Sequence, residues 1–143
     1  MKKYPNIIRG VEQKYPNVPP GTPIYAKSVV VDNLIFVSGM TAQSFEEGNC
    51  LTYTAHDQTI VCLEKLKQTL EEAGSCLENL VRTLILFVDM KDYPVVRAAE
   101  LEFYKEHAPS LLDAPPGSTV LQAAALARPE FLVEIEAIAV VKQ

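Results

Sequence analysis

Residues 79–90, NLVRTLILFVDM, are a strongly apolar β-run, continuous enough to be buried on both faces, and a segment of helical period lies on either side of them. A strand of this kind needs strand neighbours and a covering layer, so the chain must build a sheet with helices packed on it. On the N-terminal side, TAHDQTIVCLEKLKQTLEEAG sets Ile60, Leu63, Leu66 and Leu70 at helical spacing. Thr54 with Asp57 resembles a capping box at its start, and Gly74 is a C-terminal stop. On the C-terminal side, Asp92 and Pro94 mark a second helix start. Val96, Ala99, Phe103 and His107 fall on one stripe of that helix, and Ala108-Pro109 ends it.

The remaining segments supply the neighbouring strands. IYAKSVVVDNLIFVSG is two β-rich runs around Asp32-Asn33, a pair suited to a tight hairpin turn, and a polar loop follows it. STVLQAAAL and FLVEIEAIAVV are strand candidates near the end of the chain. The order β-β-α-β-α-β-β predicts one compact α+β domain over residues 24–143. Residues 1–23 are proline-rich, carry KYPN twice, and are expected to lie over the body as an N-terminal arm with Tyr4 and Tyr15 as apolar pegs. In VEIEAIAV the alternation sets Glu134 and Glu136 on one face, with Val133, Ile135 and Ala137 on the other.

Several function classes fall away. The net charge is −5 and the 13 Lys and Arg residues are scattered, which is not the basic face of a nucleic-acid binder. No apolar run approaches the roughly 18 residues of a membrane span, and MKKYPNIIRG has no apolar core of a signal peptide, so a cytoplasmic protein with no membrane partner is expected. Cys50, Cys62 and Cys76 have neither zinc-ligand nor disulfide-framework spacing and read as small apolar filler. His56 and His107 make no H-x-x-x-H pair, so no metal site is expected. Cys50 and His56 are near in sequence but have no evident orienting partner for nucleophilic catalysis.

The element order, IFVSG at 35–39, Tyr25 upstream of Ser38, and LVEIEAIAV at 132–140 together resemble the RidA/YjgF family, also called L-PSP endoribonuclease-like. The likeness spans residues 24–142. It implies a chorismate-mutase-like α+β fold: a mixed sheet with two helices on one face, assembled as a barrel-like homotrimer with small pockets between subunits. It also implies hydrolysis of reactive imines and enamines of 2-keto acids, with no cofactor and no metal.

The family pattern carries over residue by residue. The pocket tyrosine falls on Tyr25, and the serine-glycine corner on Ser38 and Gly39. The glutamate that helps the attacking water falls on Glu134, and the residue whose backbone carbonyl holds that water falls on Thr119. The deaminases carry their arginine clamp in a Pro-x-Arg-Ser/Thr turn, and that position falls on Gly117 of PPGST, beside Ser118. A glycine offers a carboxylate only its backbone N–H, and losing a buried clamp costs about 2–5 kcal/mol. Arg97 stands in the second helix where the deaminases have a site-proximal asparagine, and Arg128 follows AAALA. Either is a candidate replacement cation, Arg97 the better placed.

Three functions follow from this reading. The first is an imine or enamine deaminase acting on 2-imino acids or aminomuconate-like enamines, with Glu134 and Thr119 at the water and Tyr25, Ser38, Gly39, Gly117, Ser118 and Arg97 around the substrate. The second is a non-catalytic trimer that binds or senses a small carboxylic acid. The third, a ribonuclease or translation inhibitor, is disfavoured by the acidic charge and by the absence of a His/Lys acid-base cluster.

Overall fold

A computed structural model describes residues 24–141 and, before them, the backbone of three short strands, β1 (Lys3–Pro5), β2 (Ile7–Ile8) and β3 (Val11–Glu12). Strand β1 pairs antiparallel with β4, and β2 with β3. The side chains of the expected arm, Tyr4 and Tyr15 included, lie outside the described residues.

The body follows the expected order: β4 (Ser28–Val31), β5 (Leu34–Met40), α1 (Ala55–Glu72), β6 (Leu80–Phe87), α2 (Tyr93–His107), β7 (Gly117–Gln122) and β8 (Val133–Val140). Asp32 takes a positive φ of 53° in the β4–β5 hairpin, a conformation that Asp tolerates better than most residues. Thr54 caps α1 by accepting from the Asp57 N–H at 3.1 Å, and Gly74 closes the helix with φ of 86°. The start of α2 is less direct than the sequence suggests. A short 3₁₀ turn, Met90–Asp92, is capped by the Asp89 carboxylate on the Lys91 N–H, and Asp92 itself makes no side-chain cap. Pro94 then sits in the first turn, where its missing N–H costs nothing.

The sheet order is β1-β4-β5-β8-β6-β7. Among the described strands only β6 and β7 pair in parallel, with α2 as their crossover. The last strand, β8, therefore enters the middle of the sheet between β5 and β6. Leu63, Leu66 and Leu70 of α1 are fully buried and pack with Val96 and Phe103 of α2 against Ile35, Ile85, Phe87, Val133 and Ile135 of the sheet. Each such side chain contributes about 1.5–3 kcal/mol of burial.

Strand β6 differs from expectation. Its residues alternate between buried and partly covered or exposed, because both helices lie on one face of the sheet. The other face is open in the single chain and is largely apolar. Phe36 pairs with Ile138, Leu86 with Leu121, and Leu84 with Thr119; Phe36 is 43% and Leu121 52% exposed. Glu134 and Glu136 of β8 stand on this face, in register with Leu86 and Leu84.

Candidate functional site

The β5–β8 register breaks between Val37 and Met40. A bulge re-aims side chains locally, and this one carries the two residues of the serine-glycine corner. The Ser38 hydroxyl donates to the Ala26 carbonyl at 2.6 Å and its N–H to the Lys27 carbonyl at 2.9 Å, which ties the corner to the segment carrying Tyr25. Gly39 faces Glu134 so closely that a Cβ there would overlap the carboxylate Oε1. The absence of a side chain at 39 is therefore what lets Glu134 extend across the sheet.

Tyr25, Ser38, Gly39 and Glu134 meet in one cleft of about 350 Å³, which Thr41 and Phe131 also line. A second cleft of about 430 Å³ shares Tyr25, Ser38, Gly39 and Thr41 and runs on to Lys27, Phe45 and Lys65. Both volumes suit a small metabolite. Burial, reinforced by the neighbouring Glu136, raises the Glu134 carboxyl above its ordinary value, and Lys65 opposes that shift. A raised carboxyl is a better proton acceptor and stores a proton nearer neutral pH.

The wall of the cleft is set by a buried amide. Gln58 of α1 donates to the carbonyls of Glu130 at 2.8 Å and Thr52 at 3.1 Å, and accepts from the Leu132 N–H at 2.8 Å. These bonds pin the turn before β8 and seat Phe131 against Ala42, Cys50 and Val61.

The other sequence-selected residues lie elsewhere, except Arg128, which stands beside the cleft-lining Phe131. Gly117, Ser118 and Thr119 are on β7, separated from β8 by the whole width of β6. The Ser118 hydroxyl is bonded to Thr83 at 3.0 Å and accepts from Arg97 at 3.1 Å, on the side of the sheet that α2 covers. Arg97 is also paired with Glu100 at 2.8 Å. The Thr119 hydroxyl accepts from Arg82 at 3.2 Å. A Cβ at Gly117 would meet only the Val81 carbonyl, at 3.7 Å, so the strand edge has room for a side chain that this chain lacks. Arg128 pairs loosely with Glu130 at 3.7 Å and lies over Phe131. The single chain thus holds two groups, one around Glu134 and one along the β7 edge.

Neither histidine enters the cleft. His56 bridges Asp57 and Glu102, both at 2.9 Å, and its bond to Glu102, then that to Asp57, raises its imidazole above the usual value. His107 stacks on Phe103. The thiols are free, and burial pushes Cys62 up to about 12. Among the described residues, no cluster of three or more His, Cys, Asp or Glu is placed to hold a metal ion, and no helix is long and apolar enough to cross a membrane.

Lys27, Phe45 and Lys65 were not legible as site residues. Lys65 sits on the flank of an amphipathic helix, where a lysine is ordinarily solvated, and Phe45 lies in a polar loop. Only the fold brings them beside Ser38.

The family model described as Endoribonuclease L-PSP matches residues 17–141. The chain is 37% identical to Protein mmf2, mitochondrial, of Schizosaccharomyces pombe, across 80% of this chain and 86% of that protein. It is 34% identical to the 2-iminobutanoate/2-iminopropanoate deaminase of Mus musculus, across 81% of this chain and 80% of that protein. Among solved structures, the YjgF gene product of E. coli superposes with a TM-score of 0.74 at 28% identity, covering 88% of this chain and 94% of that one.

Proposed function

This chain belongs to the Endoribonuclease L-PSP family, the RidA/YjgF family, and on that premise we propose that it is a deaminase hydrolysing imines or enamines of 2-keto acids. The observation that carries the proposal is the convergence of Tyr25, Ser38, Gly39 and Glu134 in one cleft, with the Glu134 carboxyl raised by burial. The mouse relative named as a deaminase supports the reaction class.

The chemistry asks little beyond positioning. Water adds to the imine carbon, and Glu134 takes a proton from that water as the C–O bond forms. Glu134 passes that proton to the imine nitrogen, giving the carbinolamine. It then takes the hydroxyl proton and delivers it to the amine as the C–N bond breaks. The products are the keto acid and ammonia, and the carboxylate is restored. An enamine enters the same route after protonation at carbon. Orientation of the water and a carboxylate of suitable proton affinity supply the rate, and no covalent intermediate is required.

The active unit is a homotrimer in this reading. The open sheet face is apolar at Phe36, Leu84, Leu86 and Leu121 and calls for a partner surface. Packing of one copy's β7 edge near another copy's Glu134 cleft would unite the two groups that a single chain keeps apart, placing the Thr119 carbonyl at the water.

Gly117 favours a second reading, a small-acid binding or sensing trimer without turnover. At this position the deaminases hold their substrate with an arginine, and this chain has open space. The test is ammonia release from freshly generated 2-imino acids and from enamine substrates, by wild type and by Glu134→Ala, with the assembly measured alongside. Release that vanishes in Glu134→Ala supports the deaminase. No release above the spontaneous rate from an intact trimer leaves the binding protein.

A further inference from the structure

The cleft that adjoins the Glu134 cleft through Tyr25, Ser38, Gly39 and Thr41 is lined by two lysines. Lys65 Nζ donates to the Thr41 carbonyl at 2.8 Å and lies 4.4 Å from the centroid of the Phe45 ring. Lys27 Nζ lies 4.4 Å from the same centroid and 3.0 Å from Glu72 Oε2. Two ammonium groups therefore share one aromatic ring on a cleft that Tyr25, Ser38 and Gly39 also line.

Among the described residues, Glu72, on Lys27, is the carboxylate ion-paired with these two ammoniums. A cation over a ring gains about 0.5–1 kcal/mol when exposed and more when desolvated, but two like charges on the same ring also repel. Burial holds the Lys65 ammonium below the ordinary lysine value; Lys27 adds to that shift, while Cys62 and Glu134 oppose it. Of the neighbouring carboxylates, Glu72 is spent on Lys27 and Gln68, and Glu134 is the group the proposed reaction uses. An anion entering the cleft that both ammoniums line would offset their repulsion and replace the solvation that Lys65 gave up on folding.

We infer that the Lys65–Lys27–Phe45 end of the cleft is a carboxylate subsite, which holds a small unsaturated 2-imino or enamino acid by its carboxylate from the same chain that supplies Glu134. The inference rests on the deaminase reading for the identity of the acid, but not for its binding. It also explains how a chain with glycine at 117 retains a hold on an acid. Arg128 is paired with Glu130 and lies over Phe131, outside the lining of this cleft, and two further cations are less suited. Arg97 is committed to Glu100 and Ser118. Arg82 lies on β6 four residues from Leu86, which pairs with Glu134; that is about 13 Å along the strand. A carboxylate is favoured over phosphate by the size of the charge: two ammoniums, one already paired, match a single negative charge and a planar group that can lie against Tyr25 or Phe45.

The test measures binding and turnover separately. Pyruvate, a stable 2-keto acid, is titrated calorimetrically into wild type, Lys65→Gln, Lys65→Arg, Arg82→Gln and Arg97→Gln. Ammonia release from 2-iminopropanoate is followed on the same proteins, and thermal melts establish that each is folded. Lys65→Gln is expected to weaken pyruvate binding about tenfold or more and to raise KM by a similar factor, with kcat changed less than about threefold. Lys65→Arg is expected to recover most of the loss, because it restores the charge. Unchanged Kd and KM in folded Lys65→Gln overturn the subsite, as does a loss that follows Arg82→Gln or Arg97→Gln in its place. Pyruvate binding that depends on Lys65 without any ammonia release keeps the subsite and removes the deaminase. Release that ignores Lys65 does the reverse. Neither binding nor release in wild type overturns both.

Discussion

A Cβ at Gly39 would overlap Oε1 of Glu134 and approach its Cδ to 2.7 Å, so the carboxylate occupies the space that a side chain on the neighbouring strand would need. The contact joins the β5 bulge to the start of β8. It also gives the corner glycine a specific physical task.

Gly39→Ala therefore tests the geometry of the cleft without testing its chemistry. The obstructing atoms are the far end of a flexible side chain, and Gly39 does not have a positive φ. The variant is expected to fold, with its Tm within a few degrees of wild type, while Glu134 is pushed aside. Activity is expected to fall about 100-fold, the scale at which misplacing a reacting group by an ångström operates. A circular-dichroism melt and the ammonia assay check the two halves.

Glu134→Gln removes the proposed proton acceptor and is expected to reduce turnover to the spontaneous rate. In wild type the acid limb of kcat/KM is expected above the ordinary glutamate value of 4.5, because the carboxyl is raised. The stability sign follows from the same shift. A carboxyl raised in the folded state favours folding fully below its unfolded value, and that contribution is lost as pH rises through the folded value. At neutral pH the variant is thus expected to be as stable as wild type or slightly more so, with the difference vanishing in acid. Denaturant melts at pH 4 and pH 7 measure it.

Gly117→Arg puts a guanidinium where the resemblance to the deaminases sets theirs, at a position where a Cβ meets nothing nearer than 3.7 Å. Its kcat/KM for 2-iminopropanoate is expected to rise about tenfold. The gain should be larger in a Lys65→Gln background, where the new cation is the sole clamp. Equal gains in both backgrounds would count against a shared task for the two positions.

Phe36→Glu places a charge on the open apolar face, where Phe36 is 43% exposed and in register with Ile138. A trimer built on that face is expected to dissociate, and activity to fall with it, because the β7 edge and the Glu134 cleft would no longer meet. Sedimentation velocity of wild type and variant decides this. A wild-type monomer would remove the two-copy site altogether.

Local pattern carried most of the fold. Four leucine or isoleucine positions at helical spacing placed α1, with Thr54 and Gly74 marking its ends, and the alternation in VEIEAIAV set Glu134 and Glu136 on one face. These signals are legible because side-chain period depends on backbone geometry within a few residues. They did not show that β6 would be covered on one face only, since the apolar content of a strand does not say how many layers pack against it.

Legible in the chain alone are the order and type of the elements from β4 onward, the face on which the last strand presents Glu134 and Glu136, and, through resemblance to a family, the corner at Ser38-Gly39 and the glycine at 117. Only the tertiary structure decided that the last strand enters between β5 and β6. That non-local pairing carries Glu134 to the bulge at Ser38-Gly39 and keeps the β7 edge a strand away from it, while the fold sets Lys65 of α1 and Lys27 ahead of β4 each 4.4 Å from the ring centroid of one phenylalanine in a loop. Strand order is set by closure of distant chain segments over a common core, and no local period encodes it.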